Sequence, residues 1–97
     1  MHFVVVFEDN PDRAGERSKH MPAHLAFLAK NETAVQAAGP LTDSSDGQAA
    51  GGLWLVEAGD AAEVEALVRS DPLFATGLRR SWRVLSWHQV FADGQAL

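Results

Sequence analysis

Apolar positions fall in short runs divided by polar, glycine- and proline-bearing clusters, and the spacing within each run predicts its structure. Residues 2–7 read as a strand. Phe3, Val4, Val5, Val6 and Phe7 are β-branched or aromatic, and Glu8-Asp9-Asn10-Pro11 closes the run as a turn cluster. The run is continuous rather than alternating, which implies burial on both faces. Residues 12–20 are polar and predict a loop or one short helix that stops before Pro22. Proline suits the first helical position, where its missing N–H is not needed, so Pro22 opens the next helix. Leu25, Leu28 and Ala29 then recur at helical spacing with Phe27 beside them, and Asn31 suits the helix end.

The second half repeats the alternation. Residues 33–38 form a weak strand closed by Gly39-Pro40, and residues 42–52 are rich in Asp, Ser and Gly, which predicts a loop. Leu53-Trp54-Leu55-Val56 is a further strand. Asp60 with Glu63 matches a capping box, and Val64, Leu67 and Val68 form the apolar stripe of the helix that follows. This helix ends before Asp71-Pro72, because a residue preceding proline avoids the helical region. Residues 73–78 make a short turn closed by Gly77, residues 81–91 the last strand, and residues 92–97 a polar tail.

The order is β-α-β-β-α-β, so the expected fold is α+β and ferredoxin-like, with a four-stranded antiparallel sheet covered by helices on one face. Strand alternation puts Trp82, Val84 and Val90 on one side of the last strand and Leu85, Trp87 and Phe91 on the other. An apolar sheet face left bare is unusual in a monomer, so a homodimer packed through the open face is expected. Those aromatics could instead line a ligand cavity, and a dimer can provide both.

Composition narrows the chemistry. The chain has 97 residues, enough for a single domain over 1–97. A net charge of -5 argues against a nucleic-acid or anionic-membrane surface. With no cysteine, disulfides, thiolate metal sites and cysteine nucleophiles are excluded. No apolar run approaches the roughly 20 residues that span a bilayer. The start of the chain is strand-like and has no cleavable leader pattern, so a cytoplasmic location is the expectation.

His24 is the leading candidate for chemistry. It falls in the first turn of the helix opened by Pro22, where a neutral imidazole can accept a proton near neutral pH, although a solvated surface histidine fits the same pattern. His20 and His24 are four residues apart, the spacing of two metal ligands on one helix face. Pro22 places His20 outside the helix, however, so no metal is expected. Ser44 and Ser45 lie in a loop with no strand–serine–helix elbow. Asp71 before Pro72 reads locally as a cap for the following turn. Trp54, Trp82 and Trp87 suit a core or interface better than a substrate cage.

Several features together resemble the YCII-related (YciI-like) family: His24-Leu25 after a charged segment, Ala38-Gly39-Pro40-Leu41, Gly51-Gly52, and Asp71-Pro72 with Gly77-Leu78. They occur in the family's order through nearly the whole chain. The resemblance implies a dimeric α+β barrel and an active site built from His24 and Asp71. Gly39, Pro40 and Pro72 belong to the matching motifs and are expected near the substrate. One branch of the family is similar in fold and His/Asp pair to an enzyme that removes chloride from a chlorinated hydroxyquinol. Many relatives carry arginine where Met21 stands here. If that arginine binds an anionic substrate, Arg17 or Lys19 takes its place or the substrate differs.

Two functions follow as expectations. The first is a small, cofactor-independent enzyme acting by proton transfer, lyase- or isomerase-like, on a small cyclic or aromatic metabolite, with His24 as acid or base and Asp71 orienting it. The second is a non-catalytic homodimeric module that binds a small ligand or serves a partner.

Overall fold

A computed structural model describes all residues, 1–97. Strand β1 (His2–Asp9) lies inside a four-stranded antiparallel sheet of order β2-β3-β1-β4, with β2 (Val35–Thr42), β3 (Ala49–Glu57) and β4 (Arg79–Ser86). Helices α1 (Glu16–Lys19), α2 (Met21–Lys30) and α3 (Ala61–Ser70) fill the connections. The architecture is the ferredoxin-like α+β arrangement expected from the strand and helix order. No helix is long and apolar enough to cross a membrane.

The period of two in β1 builds the core. Phe3, Val5 and Phe7 are buried against the helices, together with Trp54 and Val56 of β3 and the Val64–Val68 pair one turn apart on α3. Each such side chain contributes about 1.5–3 kcal/mol relative to leaving it exposed. Val4 and Val6 alternate onto the other face, level with Leu55, Leu53 and Leu85, and are only half-buried. Trp82 and Val84 turn inward and Leu85 outward, as strand alternation predicts. Trp82 packs edge-on to Phe74, and its indole N–H donates to Glu65.

Helix α3 starts as its capping residues predict. The Asp60 carboxylate accepts the Glu63 N–H at 2.9 Å, while the Glu63 carboxylate reaches back to the Gly59 N–H. Residues 11–20 are neither one helix nor a plain loop: a 3-10 turn at Pro11–Arg13 leads to the single turn of α1, and His20 joins α1 to α2.

Five expectations are corrected. The inward stripe of α2 is His24, Phe27 and Leu28, whereas Leu25 is 55% exposed and Ala29 is exposed. A histidine with a buried partner takes a core-facing position that hydropathy reserves for leucine, which rotates the stripe by one residue. Strand β2 also runs on through Gly39-Pro40 to Thr42, because β2 is an edge strand where an absent N–H costs no ladder bond.

The loop is correspondingly short, since β3 begins at Ala49 and includes Gly51 and Gly52. A Cβ on Gly51 would run into the Phe7 carbonyl oxygen, so the glycine permits close strand approach rather than a turn. Finally, β4 ends at Ser86, and Val90 and Phe91 leave the sheet. Residues 92–97 are not a plain tail, because Phe91–Ala92 pairs with Gln95–Ala96 in a hairpin. Its turn residues Asp93 and Gly94 both have positive φ, the geometry an Asp-Gly turn favours.

Candidate active site

The site grows from the first turn of α2. His24 is its fourth residue, the first whose N–H is paired within the helix, to His20 O at 2.9 Å. The ring projects inward, and Nδ1 lies 2.8 Å from Asp71 Oδ1. Asp71 is held there by the end of α3. Its backbone is extended, as a residue before Pro72 must be, and Oδ1 also accepts the Leu73 N–H at 3.1 Å. Capping the turn and holding the histidine are therefore one arrangement, not alternatives.

The carboxylate is ionised. Burial pushes Asp71 upward, but the hydrogen bond from His24, the Arg79 charge and the Leu73 N–H together hold it below its ordinary value. An ionised acceptor keeps the proton of a neutral imidazole on Nδ1 and leaves the Nε2 lone pair for other work.

Arg79, the first residue of β4, completes the cluster. Its Nη1 is 2.8 Å from Asp71 Oδ2 at an angle unsuited to a hydrogen bond, so the contact is one of charge. The guanidinium lies 3.9 Å over the Phe7 ring and 5.2 Å from that of Trp54. Burial lowers the proton affinity of Arg79, partly offset by Asp71.

His24, Arg17 and Arg79 share a cavity of about 110 Å³ with Phe7, Trp54, Met21, Leu25, Leu73, Gly39, Pro40 and Gly52. That is comparable with the ~150 Å³ of an apolar cavity that admits one benzene ring. Arg17 reaches the wall from α1 and is clamped by Asp9, at 2.6 and 3.2 Å, and by the Gly51 carbonyl. The structure thus brings together His24, Asp71, Arg17, Gly39 and Pro40. Pro72 stands outside the cavity wall and shapes the backbone of Asp71. His20 turns away to Glu16, 3.0 Å from its carboxylate.

Sequence reasoning missed Arg79 for a physical reason. Counting back from the inward Trp82 by strand alternation puts Arg80 inside and Arg79 outside. A register shift opposite Glu8 and Asp9 inserts one extra residue, so Arg79 rather than Arg80 faces the core beside Asp9.

The YCII-related domain model matches residues 1–88, and the chain belongs to this family. No curated protein matches it by sequence. Among solved structures it is similar to the 5-chloro-2-hydroxyhydroquinone dehydrochlorinase of Burkholderia phenoliruptrix AC1100 in complex with 2,5-dihydroxybenzoquinone. The identity is 28% and the TM-score 0.80, over 91% of this chain and 94% of that one. A putative antibiotic biosynthesis monooxygenase of Bacteroides thetaiotaomicron VPI-5482 shares the fold at 11% identity and a TM-score of 0.56, over 100% of this chain and 95% of that one.

Proposed function

We propose that this YCII-related chain is a cytoplasmic, cofactor-independent lyase that moves protons on a small oxygenated ring, with His24 as acid–base and Asp71 as its orienting partner. The observation that carries the reading is the 2.8 Å contact between His24 Nδ1 and the buried Asp71 carboxylate at the wall of a ring-sized cavity. Similarity to a dehydrochlorinase supports a substrate of the chlorinated hydroquinone class.

The chemistry balances without an oxidant. Loss of HCl from 5-chloro-2-hydroxyhydroquinone converts two hydroxyls to carbonyls, releasing two protons. One proton goes to the ring carbon that bears chlorine, and the other leaves as the acid of chloride. The C–Cl bond breaks with both electrons on chlorine. His24 Nε2 takes a hydroxyl proton, the imidazolium is held by Asp71, and the same nitrogen delivers the proton to carbon. Arg17, Gly39 and Pro40 shape the substrate wall, while Pro72 acts through the backbone of Asp71.

The reading includes a homodimer. Val4, Val6, Leu53, Leu55 and Leu85 share the sheet face that carries no helix, and a second copy of the chain covers it most simply.

The test is chloride release and quinone absorbance on feeding 5-chloro-2-hydroxyhydroquinone to the purified protein. His24→Ala should lower turnover by at least about a hundredfold, the lower bound of acid–base assistance. Equal turnover in the two proteins overturns the assignment. A ring compound bound and released unaltered identifies a binding module instead.

A further inference from the structure

Arg79 is the one charged group of the site that the pair chemistry leaves unexplained. Its side chain is 3% exposed, yet neither Nε nor Nη1 has a hydrogen-bond acceptor. A buried donor without a partner is costly, and guanidinium donors in native proteins are almost always matched. Of its two anionic neighbours, Asp71 spends Oδ1 on His24 and the Leu73 N–H and faces Arg79 through Oδ2 without a hydrogen bond, and Asp9 acts through charge alone. Arg17, the other cation of the cavity, is spent on Asp9 and the Gly51 carbonyl. Arg79 therefore forms part of the cavity wall as a fixed cation, seated over Phe7, whose guanidinium makes no hydrogen bond within the protein.

We propose that Arg79 is the anion anchor of the cavity, taking the oxyanion of a planar ring such as a phenolate, an ionised hydroxyquinone or an aryl carboxylate. A guanidinium presents its donors in one plane, which suits a flat oxyanion better than a point charge would. The anchor and His24 meet the same carboxylate from two sides, so a ring held at Arg79 lies beside the imidazole. Binding an already ionised ring also divides the labour: one hydroxyl proton is lost before binding, and His24 handles the other. This inference rests on the proposed function only for that last point; anion selection stands on the geometry of Arg79.

The experiment measures Kd at neutral pH for two matched pairs, ionised 2,5-dihydroxybenzoquinone against its neutral dimethyl ether, and benzoate against benzamide. Wild type, Arg79→Gln and Arg79→Lys are compared, with circular dichroism to establish folding. Wild type should prefer each anion. Arg79→Gln should weaken both anions by about ten- to a hundredfold, the worth of a charged hydrogen bond, and leave the neutral partners unchanged. If Arg79→Gln does not fold, Arg79→Lys carries the test, with a smaller loss confined to the anions.

A wild type without preference for anions overturns the anchor, as does equal weakening of anion and neutral partner. Arg79-dependent binding of benzoate with no binding of the quinone keeps the anchor and sinks the hydroquinone reading alone.

Discussion

Replacing Asp71 by Asn tests the centre of the site with almost no change of shape. Asp71 is 2% exposed and faces three groups: the His24 ring, the Leu73 N–H and Arg79. An amide still accepts from Leu73, so the turn survives. The Arg79 guanidinium, 3% exposed, loses the carboxylate 2.8 Å from it and keeps only the charge of Asp9, which already holds Arg17. Removing one member of a buried ion pair costs about 3–5 kcal/mol, and the retained hydrogen bond argues for the lower end. A loss of about 3 kcal/mol in a domain of this size lowers Tm by on the order of 15 °C.

Urea unfolding followed by tryptophan fluorescence reads the change, because Trp54 lies in the same cluster as Arg79. Asp71→Asn/Arg79→Met should recover at least about 1 kcal/mol relative to the sum of the two single changes, since contacting residues are not additive. The pH dependence has a defined sign. The Asp71 carboxyl sits below its ordinary value of 3.8 in the folded state, so unfolding takes up a proton in acid. Its contribution is complete above the ordinary value and disappears as pH falls through the folded one. The gap between wild type and Asp71→Asn must therefore narrow below about pH 4. A loss under about 1 kcal/mol at pH 7 combined with strict additivity would refute the coupled cluster.

Two further substitutions probe the frame of the site. Gly51→Ala drives a methyl group into the Phe7 carbonyl and disturbs the carbonyl that holds Arg17, so a loss of at least about 1–3 kcal/mol is expected in thermal unfolding, and wild-type stability would refute the close-approach reading. Leu85→Glu places a charge on the half-exposed sheet face; light scattering should show a dimer in wild type and a monomer in the variant, and an unchanged mass would place any interface elsewhere.

Much of this was legible in the sequence because the signals were local. A proline two residues before His24 marks a helix start wherever the helix packs, and the Asp60–Glu63 spacing marks another. The order of the elements then fixes the ferredoxin-like topology with little further input. Family motifs, rather than physics, joined His24 to Asp71, which lie 47 residues apart in the chain. What was not legible depended on non-local partners. Leu25 looked like core until Asp71 gave His24 a reason to face inward. Pro40 looked like a strand end because nothing in a single strand says that it lies at the sheet edge.

Arg79, which the strand expected over residues 81–91 left out, is the sharpest instance, because its direction turns on parity. Strand alternation carries a side chain's direction only while the register holds, and one inserted residue reverses every assignment on one side of it. Opposite Glu8 and Asp9 the register shifts, and the inward position passes from Arg80 to Arg79. Two adjacent arginines thus have opposite fates: Arg80 pairs with exposed Glu8 at the surface, while Arg79 is buried beside the histidine–aspartate pair. The bulge places a cation at the wall of the cavity without giving up the apolar alternation of Trp82 and Val84 that holds β4 against the helices. A change that restored an unbroken register here without removing a residue would return Arg79 to the surface and leave the Asp71 carboxylate without the cation beside it.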